Sequence, residues 1–145
     1  MTVDSIQLQA KEQWRPSATL PLLRARSDFI RQIRQFFFAR DLIEVETPLL
    51  SQHTVTDCHL DSFATTAPTR FLQTSPEYAM KRLLAAGSGP LFQLCKVFRQ
   101  EEQGQRHNPE FTLLEWYRPH WTHHDLMTEV GELLITVAQQ KPATR

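Results

Sequence analysis

Two cysteines, Cys58 and Cys95, are too few for a disulfide scaffold or a four-thiolate zinc site. No apolar run approaches the roughly 18–20 residues that span a bilayer. Met1 to Lys11 is polar and mixed in charge, with no apolar signal core. Neither sign of charge is in excess, with Lys+Arg 16 against Asp+Glu 16, which argues against a dedicated nucleic-acid binder but not against a local basic patch. There is no internal repeat and no low-complexity stretch. These absences point to a cytoplasmic protein. Its 145 residues, 41% of them hydrophobic, match one ordinary domain with a real core.

Residues 1–20 read as a polar N-terminal arm, and residues 21–145 as the folded unit. Over 22–40, Leu22, Leu23, Phe29, Ile30, Ile33, Phe36 and Phe37 recur at helical spacing. Arg24, Arg26, Arg31, Arg34 and Arg40 make the other face basic, most simply a solvated face. Leu42 to Thr47 is a short β-prone run stopped by Pro48, and 51–62 reads as a loop. Residues 62–66 and 69–73 read as two short strands around an Ala67-Pro68 turn. Ser75-Pro76-Glu77 opens a helix to about Ala86, with Ser as N-cap and Pro at the first helical position.

Leu91 to Arg99 is the clearest strand. Phe92, Leu94, Lys96 and Phe98 alternate with Gln93, Cys95, Val97 and Arg99. Phe111 to Tyr117 is a second strand, expected to form an antiparallel hairpin with the first through a long polar loop. Thr122 is placed to cap a last helix, roughly 123–140, with Leu126, Met127, Val130, Leu133, Leu134 and Val137 as its buried stripe. His120, His123, His124 and Asp125 cluster at its start, but their spacing suits an exposed helix start better than a metal site.

The hairpin carries the chemistry. Arg99 and Glu101 point the same way in a strand, as do Phe111, Leu113, Glu115 and Tyr117. If the two faces coincide, one surface holds a guanidinium, an aromatic ring, carboxylates and a phenol. That set suits a nucleotide: Arg for phosphate, a ring for the base, carboxylates for amino groups. Arg106 and His107 in the loop would close over the outer phosphates. An amphipathic hairpin with a merely charged outer face has the same pattern.

The residues Phe98-Arg-Gln-Glu-Glu102 and Arg106-His-Asn-Pro-Glu-Phe-Thr-Leu-Leu-Glu-Trp-Tyr117 resemble motif 2 of the class II aminoacyl-tRNA synthetases, in its lysyl version. Phe29 through Pro48 resembles motif 1, and Leu72 to Leu84 the segment that begins the amino-acid pocket. Motifs in this order cover residues 22–120. The phrases "TSPEYAMKRLLAAGSGPLFQLCKVFRQEE" and "RHNPEFTLLEWYRPH" are most similar to the elongation factor P–lysine ligases, lysyl-tRNA synthetase paralogues without an anticodon-binding domain. About twenty residues precede motif 1 here, too few for that five-stranded barrel.

The resemblance implies an α+β fold: a class II synthetase-like antiparallel sheet with flanking helices. It implies activation of lysine or β-lysine with ATP and magnesium, and transfer to a lysine of elongation factor P, with tRNA not the expected acceptor. It also implies a homodimer through motif 1. By resemblance, Arg99 is the catalytic residue and holds the α-phosphate. Gln100, Glu101, His107, Asn108 and Phe111 join it around ATP, with Phe111 stacked on adenine; the family usually has Asn at the Gln100 position. Ser75, Pro76, Glu77 and Tyr117 match the substrate-binding segment, with Glu77 as the carboxylate for the substrate ammonium. No protein metal site is expected.

Two departures stand out. The glycines at 87, 89, 104 and 131 do not form the glycine-rich motif 3, so the chain resembles the N-terminal part of the catalytic domain and is expected to be inactive alone. Asp41 stands where the family has Gly after the motif 1 helix, a position that favours a left-handed conformation. A lysyl-tRNA synthetase fragment and a non-catalytic ATP-binding or dimerisation module are the alternatives.

Overall fold

The computed structural model describes residues 15–100, 104 and 107–139. Most of the N-terminal arm, Glu101 and Arg106 lie outside the described residues. The elements are, in order, α1 (Leu20–Phe38), β1 (Ile43–Glu44), β2 (Leu50–Ser51), β3 (Phe71–Leu72), α2 (Glu77–Ala85), β4 (Leu91–Phe98), β5 (Glu110–Tyr117) and α3 (His123–Gln139).

Helix α1 starts two residues before the apolar repeat. The Thr19 hydroxyl accepts from the Leu22 N–H at 3.4 Å, and a proline sits in the first turn, where its missing donor is harmless. Past the helix end, Asp41 has φ 58°, the left-handed geometry expected at that position. This turn lets the Leu42 N–H reach Phe37 O at 3.2 Å and redirects the chain into β1.

Strands β4 and β5 pair antiparallel from Leu91 opposite Tyr117 to Phe98 opposite Glu110. The Arg99 N–H donates to Pro109 O at 2.9 Å, closing the hairpin where the strands end. Among the described residues the sheet has the order β1-β4-β5, and β1 runs parallel to β4. The sheet is therefore mixed rather than antiparallel throughout. The parallel pairing follows because β1 and β4 are separated by a long crossover containing α2 rather than by a turn.

One face of the hairpin holds the core. Phe92, Leu94, Leu114 and Trp116 pack against Ile33, Phe36 and Phe37 of α1 and Leu133 and Val137 of α3. The Phe37 ring stacks on Phe92 at 4.8 Å and lies 5.2 Å from Trp116. Burying a side chain of this size contributes roughly 1.5–3 kcal/mol.

A polar clamp borders this core. Glu129 of α3 is only 2% exposed and accepts from Trp116 Nε1 at 2.9 Å and from Arg118 Nε at 3.2 Å. Arg118 Nη2 also donates to Glu129, and Arg118 Nη1 donates to the Arg40 carbonyl at 3.2 Å. The end of β5, the start of the α1–β1 turn and α3 are thus tied through one carboxylate. Thr122 caps α3 as expected, in a reciprocal box with Asp125: Thr122 N donates to Oδ2 at 2.8 Å and Asp125 N donates back to Oγ1 at 3.4 Å.

Three local expectations are corrected. Residues 62–66 form no strand; a lone bridge joins Ala64 to Phe71, and β3 pairs instead with β2, Leu50 opposite Leu72. Residues 42–47 form only the two-residue β1 within the run, because the chain then leaves the sheet toward β2. The apolar stripes are half covered. Leu22, Leu23 and Phe29 of α1, and Met127, Val130 and Leu134 of α3, are exposed, since the sheet contacts only the C-terminal part of α1 and one side of α3.

Candidate functional site

The other face of the hairpin mixes apolar and polar side chains. Because residues paired across β4 and β5 share a face, Gln93, Cys95 and Val97 lie with Glu115, Leu113 and Phe111, as the alternation predicted. Here a cavity of about 1310 Å³ opens. Its walls are the loop 48–62, residues 72–75, the first turns of α2, and Arg99, Leu113 and Glu115.

Backbone pairing aims the 72–75 segment at the hairpin. The Gln73 N–H donates to Leu49 O and the Phe98 N–H donates to Gln73 O, both at 2.9 Å. This sets Thr74 and Ser75 beside the end of β4, where Arg99 Nε donates to Thr74 O at 3.2 Å. The Arg99 guanidinium also lies 5.2 Å from the centre of the Phe111 ring.

Ser75 links the two sides of the cavity. Its hydroxyl donates to Glu115 Oε2 at 2.7 Å and accepts from the Glu77 N–H at 3.1 Å. The capping bond expected of Ser75 thus exists, but Pro76 occupies the cap position and the helix begins at Glu77, one residue later than the sequence pattern implied. The second oxygen of Glu115 accepts from the Tyr117 hydroxyl at 2.6 Å. Burial, and then this bond and the charge of Glu115, push the Tyr117 phenol far above its ordinary range, so it stays a donor. Glu77 is paired with Lys81 Nζ at 2.6 Å.

Of the residues named from sequence, Ser75, Glu77 and Arg99 line this cavity, and Tyr117 reaches it through Glu115. Pro76 is buried behind them. Phe111 stands behind Arg99. Gln100 donates its N–H to Asp61 O at 2.9 Å, on the loop side. His107 and Asn108 are exposed in the β4–β5 loop, and neither lines the cavity. His107 exchanges backbone bonds with Gly104. Glu101 lies outside the described residues. Glu115 was visible on the β5 face but was not singled out. The signal was a carboxylate between Leu113 and Tyr117 on one face of a strand. The loop 48–62 gave no such signal, because its role depends on where β2 pairs.

Cys95 sits in this face with its thiol 3.4 Å from Gln73 Nε2. Burial pushes its pKa up, so it is a packed thiol rather than a nucleophile. Among the described residues no group of three or more His, Cys, Asp or Glu side chains is arranged to hold a metal ion. No helix among them is long and apolar enough to cross a membrane.

The cavity wall thus holds a carboxylate bonded by two hydroxyls and a guanidinium near an aromatic ring. The sequence profile of the class II tRNA synthetases (D, K and N) matches residues 10–144. The chain belongs to this family.

Its relatives narrow the comparison. The chain is 56% identical to the elongation factor P–(R)-β-lysine ligase of Histophilus somni, over 94% of this chain and 45% of that protein. It is 58% identical to the enzyme of the same name from Pasteurella multocida, over 91% and 43%. It is 51% identical to that of Photobacterium profundum, over 92% and 44%. The chain spans less than half the length of these relatives.

Proposed function

We propose that this chain is the N-terminal part of an ATP-dependent ligase. The ligase activates lysine, as its (R)-β isomer, to an adenylate and passes the acyl group to a lysine of elongation factor P in the cytoplasm. The observation that carries this reading is the cavity wall, where Glu77 and Glu115 stand on either side of Ser75 with Arg99 beside them. Paired carboxylates suit an ammonium group, and a guanidinium suits a phosphate.

In the first step a substrate carboxylate oxygen attacks the α-phosphorus, and the bond to pyrophosphate breaks with its electron pair leaving on pyrophosphate. No protein nucleophile is needed; the enzyme positions the reactants and neutralises charge. Arg99 neutralises charge building on the α-phosphate. Phe111 supplies a ring for adenine, and Gln100, Glu101, His107 and Asn108 border the nucleotide. Glu77, Glu115 and the Tyr117 hydroxyl fix the amine end. Magnesium enters with the phosphates of ATP. In the second step an acceptor lysine amine attacks the acyl carbon and AMP leaves. The exposed Leu22, Leu23, Phe29 and Phe38 along α1 support dimerisation through this helix.

The test is lysine-dependent ATP–pyrophosphate exchange by this chain fused to the unmatched remainder of the Pasteurella multocida relative. Exchange with transfer to elongation factor P is expected, and Arg99→Ala should lower exchange by roughly 10²–10³. Charging of tRNA(Lys) instead would make the parent a lysyl-tRNA synthetase. Nucleotide binding with no exchange would leave a non-catalytic module.

A further inference from the structure

The cavity's acidic wall already carries a cation of its own. Lys81 follows Glu77 by one turn of α2, and its Nζ donates to Glu77 Oε1 at 2.6 Å. Both side chains are partly exposed, at 56% and 45%, so the pair forms at the mouth and not in the core. The bond to Glu77 is the main cause that raises the Lys81 pKa above its ordinary value, and the charge of Glu115 adds a smaller push. Lys81 thus senses both acids that face the cavity. Lys81 offsets one of the two negative charges that Glu77 and Glu115 bring together.

An ammonium group arriving at Glu77 meets another ammonium already bound to that carboxylate. Like charges at one carboxylate compete, and the arriving group must share or displace the first. We propose that Lys81 is a specificity-determining residue, a built-in counter-cation of Glu77 that holds down the affinity of this subsite for cationic ligands. The inference rests on the reading of Glu77 and Glu115 as the ammonium subsite. Its consequence is discrimination: two uncompensated carboxylates would hold any polyamine, whereas a pair with one charge already offset by Lys81 favours a ligand that brings further contacts, such as a carboxylate or an adenylate beside Arg99.

The experiment is calorimetric titration of the 145-residue chain with lysine in its (R)-β form, each variant being checked for a cooperative melt. Lys81→Met should lower the dissociation constant roughly two- to fivefold, the range set by one partly exposed pair. Lys81→Arg should keep the wild-type value. Lys96→Met removes a comparably exposed lysine, paired with Glu110 away from the cavity, and should change nothing. In a Glu77→Gln background, the effect of Lys81→Met should shrink to less than half. If Lys81→Met does not melt cooperatively, Lys81→Gln replaces it. Unchanged or weaker lysine binding by the Lys81 variant, against clear binding by the wild type, would overturn the proposal and leave the subsite reading standing. Absence of lysine binding by the wild type would overturn the subsite reading, and this inference with it.

Discussion

The sixteen residues of the β4–β5 hairpin are divided between two faces with different neighbours. Phe92, Leu94, Leu114 and Trp116 are pressed onto α1 and α3. Across the pleat, Cys95, Leu113, Glu115 and Tyr117 lie on the side of the cavity, with Arg99 just beyond the last pair. Alternation with period two sends the helix contacts and the cavity residues to opposite sides of one hairpin, although Leu91 and Val97 on the cavity side are buried too. The two carboxylates that matter most illustrate the difference. Glu129 is sealed among Trp116, Arg118 and Arg40 and has no room for a ligand. Glu115 is held by two hydroxyls, which leave its charge uncancelled and facing a cavity. A buried acid with a cation partner is part of the fold; an acid with only neutral donors is ready for a cation.

Breaking the helix-facing side should have the largest effect. Phe37→Ala removes a fully buried ring that touches Phe36, Phe92 and Trp116, and should cost about 3–5 kcal/mol in urea unfolding. Glu129→Gln leaves the buried Arg118 without its counter-charge and should cost about 3 kcal/mol by the same measurement. On the cavity side the balance reverses. Glu115→Gln should move the urea midpoint little, yet weaken lysine binding by roughly tenfold, the loss of a charge-assisted bond of about 1.5 kcal/mol.

The smallest effect concerns pH. Asp125 is exposed, and its hydrogen bonds to the Thr122 hydroxyl and then the Thr122 N–H hold its carboxyl below the usual carboxylate range. A lowered native pKa stabilises the fold above the ordinary carboxylate value and is lost as pH falls through the lowered one. Asp125→Asn should therefore lower stability slightly and evenly at neutral and alkaline pH, and the deficit should shrink as pH falls through the lowered carboxyl range, as read by thermal melts across pH.

The sequence made this hairpin legible, because period-two alternation is local and strong over residues 91–99 and 111–117. The cap at Thr122 and the Ser75 bond to the Glu77 N–H were legible for the same reason, each being set by residues within one turn, although the cap position itself falls on Pro76. What was not legible depended on distant partners. Ser75 and Glu115 are 40 residues apart, and nothing local to either says that they bond. The partner of β3 was misjudged because Leu50-Ser51 carries no strand signal of its own; its pairing is imposed by the Gln73 N–H bonded to Leu49 O. Glu129 was invisible as a buried residue, since an acid on a helix reads as solvated until Arg118 and Trp116 are brought to it. The stripe on α3 was read as buried because periodicity gives the direction of a face and not what covers it.

The account's central claim is that the face holding Ser75, Glu77, Arg99 and Glu115 is a formed adenylate site, independent of the face that holds the fold. The most direct test is a thermal melt of the 145-residue chain with and without a non-hydrolysable lysyl-adenylate analogue, for the wild type and for Glu115→Gln. The predicted result is a cooperative wild-type melt that the analogue raises, by about 2.7 kcal/mol at a hundred times the dissociation constant, with a smaller rise at the same concentration for Glu115→Gln from an unchanged starting midpoint. A cooperative wild-type melt that the analogue does not move would contradict it.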